Sequence, residues 1–151
     1  MKNSRLGQTV CLLANGPSLS SAPFDEINKY DVFTLNKFHL TGFQYLRPNY
    51  HCIVNPHVID QTKDFLSLYS GIHLFVGDHA LKYPEYSSDN ITILNTSSNV
   101  ERFSRDIFQF IHTGWTVTYS ALQIIYYLGY SRVYIYGLDH YYSFTGAPNE
   151  N

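Results

Sequence analysis

The stretch "TVTYSALQIIYYLGYSRVYIYGLDHYY", residues 116 to 142, joins two periodicities end to end. Val117, Ala121, Ile124, Ile125 and Leu128 recur at helical spacing and Gly129 closes the run, so residues 116 to 130 read as a helix. Beyond it, "RVYIYGLDHYY" (132 to 142) reads as a strand reaching Gly137 and Asp139. A helix feeding directly into a strand is the repeating step of an α/β fold, and the same step recurs along the rest of the chain.

Working outward, "TVCLLAN" (9 to 15) is an apolar run bounded by polar residues and reads as a buried strand. "SLSSAPFDEINKY" has a helix start at Ser18, but Pro23 limits it to a short or broken helix. "DVFTLNKF" (31 to 38) is a second strand, ending at Asn36. "NYHCIVNP" (49 to 56) is a third and runs into Asn55 and Pro56, after which Val58, Ile59, Phe65 and Leu68 give "HVIDQTKDFLSLY" helical spacing. "GIHLFVGD" (71 to 78) and "NITILN" (90 to 95) complete the strands, while residues 97 to 110 carry no clear periodicity. The alternation predicts an α/β fold, a Rossmann-like three-layer domain with a mainly parallel sheet. No internal repeat or linker divides residues 1 to 151, which read as a single nucleotide-binding domain.

Composition narrows the partners. The 151 residues are 44% hydrophobic with a formal charge of -2, enough for a real core and without the basic stripe that nucleic acid requires. Cys11 and Cys52 sit in apolar runs outside any CxxC pair, which points to buried thiols and a cytoplasmic setting. No run approaches the ~20 apolar residues of a membrane span; peripheral membrane contact and homo-oligomerisation stay open. The 14 Tyr and 10 Phe read as core and amphipathic surface and identify no ligand.

In an open parallel sheet, ligands sit beyond the carboxyl ends of the strands. Asn15, Asn36, Asn55 and Asp139 fall there, with Gly16 and Gly137. An amide offers donor and acceptor without charge, suiting ribose hydroxyls, phosphates and base edges, although Asn and Asp also end strands through purely local bonds. "LLANGPSLS" (12 to 20) places Gly16 and Ser18 at a strand-to-helix turn, either an ordinary turn or an approach for phosphate. "HTGWTVTYS" (112 to 120) offers Thr113, Gly114, Thr116 and Thr118 as a second set of donors, or as plain caps. There is no GxxxxGK[ST], GxGxxG or GxSxG. His57, His79, His112 and His140 lack metal-ligand spacing, but His140 stands beside Asp139, where a base could work.

These blocks carry a resemblance. "NGPSL", "LNKF", "IVNP", the 114 to 142 block and "GAPNE" resemble the MptE-like domain from about residue 9 to 149. That family is named for archaeal 6-hydroxymethylpterin diphosphokinase and occurs in bacterial proteins linked to surface-polysaccharide synthesis and flagellin glycosylation. The same order of blocks is similar to bacterial sialyltransferases that use CMP-sialic acid. That second resemblance implies nucleotide contacts at Asn15, Gly16, Asn36, Asn55, Thr113 and Gly114, with Tyr141 near the transferred group. Ala14, Lys37 and His57 depart from its pattern, and its histidine base lies beyond the strand at 132 to 138, so His140 does not match it. The chain is thus expected to be that domain either whole or truncated at its carboxyl end.

Three functions follow as expectations. One is a nucleotide-sugar-dependent glycosyltransferase, or its nucleotide-binding part, with a glycan acceptor, no cofactor, and Asp139, His140 and Tyr141 at the reacting centre. Another is diphosphoryl transfer from ATP, with Mg²⁺ on Asp139 and Asp78 and Lys37 as the cation. The last is a non-catalytic nucleotide-binding module. In each, Asn15, Gly16, Ser18, Asn36, Lys37, Asn55, Thr113, Gly114 and Thr116 form the nucleotide side.

Overall fold

The computed structural model describes residues 1–40, 42–96 and 99–139. Six strands, β1 (Thr9–Leu13), β2 (Asp31–Leu35), β3 (Tyr50–Ile53), β4 (His73–Gly77), β5 (Ile91–Leu94) and β6 (Arg132–Tyr136), form one sheet with α1 (Phe24–Ile27), α2 (Pro56–Thr62) and α3 (Val117–Leu128) around it. The order is β5-β4-β3-β2-β1-β6, and every neighbouring pair is parallel. The chain steps outward from β1 to β5, then returns to set β6 on the other side of β1. Right-handed crossovers that step one way lie on one face, and a reversed step lies on the opposite face.

The core follows that rule. Cys11, Leu13 and Val32 pack with Leu19, Ile27 and Phe38 from the first crossovers. On the same face farther along, Ile53, Leu74 and Val76 pack with Ile59 and Tyr69. On the opposite face Leu12, Phe33, Cys52 and Phe75 meet Ala121, Ile124, Ile125 and Leu128 of α3. The result is the expected three-layer Rossmann-like arrangement. Cys11 and Cys52 are buried and unbridged. Among the described residues no helix is long and apolar enough to cross a membrane.

Local departures have local causes. Pro23 does break the first helical segment: a 3-10 helix at Pro17–Ser21 precedes the four-residue α1. Its N-cap is Gly16 rather than Ser18, because Pro17 lacks the N–H and takes the first helical position. Helicity from 57 to 69 is present but divided, α2 giving way to a 3-10 helix at Lys63–Tyr69. β6 ends at Tyr136, short of Gly137 and Asp139.

The best-marked helix is as read: Thr116 caps α3 and Gly129 closes it at φ 94°. The amino-terminal segment then satisfies the helix end, with Asn3, Arg5 and Gly7 N–H donating to the carbonyls of Tyr127, Leu128 and Gly129. A β-carbon on Gly129 would stand 3.0 Å from Asn3 Cα. Gly129→Ala is therefore expected to lower unfolding free energy by about 1 kcal/mol or more, from the left-handed φ and the crowded backbone together. Urea denaturation checks this, and unchanged stability would contradict the docking of the amino terminus on α3.

Candidate functional site

The strand order reverses between β1 and β6, so the crevice of an open α/β sheet should lie at their carboxyl ends. There the two loops meet: Ala14 N–H donates to Tyr136 O at 2.9 Å and Gly16 N–H to Gly137 O at 2.8 Å. Only a residue without a side chain fits, since a β-carbon on Gly16 would lie 2.6 Å from Gly137 O and 2.2 Å from Asp139 Oδ2. Asp139 Oδ2 accepts the Ser18 N–H at 2.9 Å. A groove of about 470 Å³ opens beside them, lined by Ser18, Pro23, Tyr136, Leu138 and Asp139.

That contact bears on the phosphate reading of the first loop. The N–H groups of Gly16, Ser18 and Leu19 are engaged by Gly137 O, Asp139 and Gly16 O, and Pro17 has none. A carboxylate stands where a phosphate would have to sit, and two anions there repel. The β1–β6 end of the crevice accordingly favours a hydroxyl-bearing group, which Asp139 can receive as a hydrogen-bond acceptor.

Asn15 and Asn36 join the rim from the neighbouring strand ends. Asn15 Nδ2 donates to Leu35 O at 3.0 Å, tying the end of β1 to β2. Asn36 follows β2 at φ 49°, a left-handed backbone that asparagine tolerates better than most residues. Its Oδ1 is buried with no hydrogen-bond partner among the described residues. An orphaned acceptor costs about 1–3 kcal/mol, so this oxygen at the strand end is open to a donor from water or from a bound molecule.

The residue that holds Asn36 in place is not among those the sequence motifs mark. His51, fully buried on β3, places Nε2 2.8 Å from Asn36 O and Nδ1 2.7 Å from Thr34 Oγ1. A carbonyl only accepts, so Nε2 carries the proton and Nδ1 accepts from the Thr34 hydroxyl. Burial pushes the imidazole down to about 3, so it stays neutral in this role. The signal lay in "YHCI", a polar residue within an otherwise apolar strand.

The other expected residues divide. Asn55 Oδ1 accepts the His57 N–H at 2.9 Å and caps α2, which is a local task. Lys37 is half-buried beside Asn36, close enough to His39 for its charge, after burial, to help hold that imidazole below its ordinary value. Thr113–Thr116 forms a tight turn, with Thr116 N–H on Thr113 O at 3.0 Å and both Gly114 (φ 54°) and Trp115 (φ 62°) left-handed. Thr116 Oγ1 caps α3 through the Thr118 N–H. Because α3 precedes and opposes a parallel strand, this turn stands at the same carboxyl edge as Asn15, Asn36 and Asn55. His140 and Tyr141 lie outside the described residues.

Two further groups lie near this edge. Thr96 donates to Asp78 Oδ1 beyond β4, and Asp60 Oδ1 receives His79 Nε2 (2.8 Å) and the Tyr83 hydroxyl (2.6 Å). The Tyr83 and His79 hydrogen bonds hold the Asp60 carboxyl below its ordinary value. Among the described residues no three His, Cys, Asp or Glu side chains gather as a metal site.

Fold and crevice together define a parallel α/β domain of the general topology on which nucleotides bind. No protein-family model matches the chain, and neither curated proteins nor solved structures give a match.

Proposed function

We propose that this chain binds a nucleotide sugar across the carboxyl edge of its sheet and is a glycosyltransferase, or the nucleotide-binding part of one, acting on a glycan acceptor. The observation that carries the reading is Asn36, left-handed and with a buried, unsatisfied Oδ1, on the rim next to the strand-order reversal. The Asn36 acceptor and the Asn15 amide suit the uncharged edges of a nucleoside, and the Thr113–Thr116 turn at the amino end of α3 suits its phosphates. Asp139, across the crevice, suits hydroxyls. In transfer, an acceptor hydroxyl oxygen forms a bond to the anomeric carbon, the bond to the phosphate oxygen breaks, and the nucleotide leaves with that electron pair. The hydroxyl proton passes to the Asp139 carboxylate.

The test is thermal stability of the purified chain with CMP, CDP, ATP and GTP, each with and without Mg²⁺. A ligand at ~100 times its dissociation constant should add ~2.7 kcal/mol. Metal-independent stabilisation by a cytidine nucleotide, lost in Asn36→Ala, is the expected result. Stabilisation by ATP only with Mg²⁺ would favour diphosphoryl transfer instead, and silence from all four would remove the nucleotide from the account.

A further inference from the structure

The groove beside Asp139 carries one sign of charge. Its lining holds the Asp139 carboxylate, the Ser18 and Ser21 hydroxyls and Tyr136, and includes no Lys, Arg or His among the described residues. The cation of the same crossover, Lys29, is taken by Glu26, both of whose carboxylate oxygens lie 2.7 Å from Lys29 Nζ. Lys37 follows β2, two strands from β6 and on the order of 10 Å across the sheet. Residues 140 to 151, which continue the chain from Asp139, add no Lys or Arg to the sequence.

The remaining lining is apolar. Ala22, Pro23, Ile135 and Leu138 form an uncharged wall, and the groove of about 470 Å³ is within the range of small-molecule sites. Opposite that wall the groups mostly accept. A carboxylate only accepts, and the Ser21 hydroxyl, whose proton is already given to Ser18 O at 3.0 Å, is left to accept as well. An apolar wall facing hydrogen-bond acceptors matches a pyranose, which has a C–H face for the wall and hydroxyl donors for the acceptors. A sugar acid meets the same groove differently. Its carboxylate would face Asp139 with no cation between them, and the Ser18 N–H holds Asp139 in place beside Gly16.

We infer that the sugar held in this groove is a neutral pyranose, seated between Pro23, Leu138 and Asp139, and that a sugar acid such as a sialic acid is rejected. The inference rests on the glycosyltransferase reading, in which transfer takes place beside Asp139. It narrows that reading away from the CMP-sialic-acid enzymes that the sequence motifs resemble.

Amide chemical shifts of the isotopically labelled full chain, read at Ser18, Ser21, Gly137 and Leu138, test this with D-glucose and D-glucuronate, two pyranoses that differ by one carboxylate. At low ionic strength glucose is expected to move these signals and to bind about tenfold or more tightly than glucuronate, the scale of one like-charge contact. Asp139→Asn, which keeps an acceptor for the Ser18 N–H, is expected to remove the difference. Ser21→Lys, at an exposed position, is expected to reverse it. CDP-glucose separates the two sources of the sugar. Shifts in the groove together with the Asn36 rim assign it to the donor, and shifts at the rim alone, with free glucose still adding those of the groove, assign it to the acceptor. Equal or tighter binding of glucuronate by the native chain, a groove indifferent to excess glucose, or a preference that survives Asp139→Asn would each overturn the inference. None of these outcomes touches the nucleotide reading, which is judged separately at Asn36 and the Thr113–Thr116 turn.

Discussion

Gly16→Ala is expected to destabilise the protein and to disable its candidate site at once, by a purely steric route. Gly16 lies at φ -75° and ψ 160°, which alanine adopts freely, so no backbone strain enters. The added carbon would instead stand 2.6 Å from Gly137 O and 2.2 Å from Asp139 Oδ2. The carboxylate can swing away, giving up its bond to the Ser18 N–H, but the carbonyl belongs to a loop already tied to β1. Overpacking of this kind costs about 1–3 kcal/mol, and in a chain of this size each kcal/mol shifts the melting temperature by about 2–4 °C. Calorimetry reads the shift. Gly7→Ala is the control, since its β-carbon meets nothing within 4 Å and it bears only the penalty of φ 77°. A silent Gly16→Ala would mean that the β1 and β6 loops do not approach as described.

The second large effect is a pH dependence centred on His51. Its imidazole is held down to about 3 by burial, against an ordinary value near 6.5. Between those limits the unfolded chain binds a proton that the native chain does not, so acid favours unfolding. The stabilisation is complete above pH ~6.5 and is lost as pH falls towards about 3, at up to ~1.4 kcal/mol per pH unit. His39 and His73, also lowered by burial, act with the same sign. Urea denaturation at neutral and mildly acidic pH should therefore show a steep loss in the native chain. His51→Gln should be less stable at neutral pH, because the bonds to Thr34 and Asn36 are disturbed, yet should lose less on acidification. An equal slope in both proteins would contradict a neutral, buried His51. Loosening the Asn36 backbone should also weaken whatever the rim binds.

The fold was legible because its signals are local. The apolar runs at 9 to 15, 31 to 38 and 49 to 56 contain β1, β2 and β3, each buried along nearly its whole length, and Thr116 and Gly129 bracket α3 by capping chemistry alone. The site was only half legible. Asparagines at strand ends mark the rim, and Pro56 at the first helical position marks Asn55 as a cap, but nothing local shows that the Asn36 Oδ1 is left over. The contact of His51 with the Asn36 carbonyl likewise depends on β3 lying beside β2. The meeting of Asp139 with Ser18 was hidden for the same reason: 121 positions separate them, and only the placement of β6 beside β1 joins them.

The central claim is that the carboxyl edge around the strand-order reversal is the ligand site. Amide chemical shifts followed while the most stabilising nucleotide is titrated into the isotopically labelled chain test it most directly. The account predicts perturbations at Asn15, Gly16, Asn36, Thr113, Gly114 and Asp139, loops far apart in sequence that share this edge. Perturbations confined instead to Arg102, Phe103, Arg105 and Tyr126, or spread without focus, would contradict it.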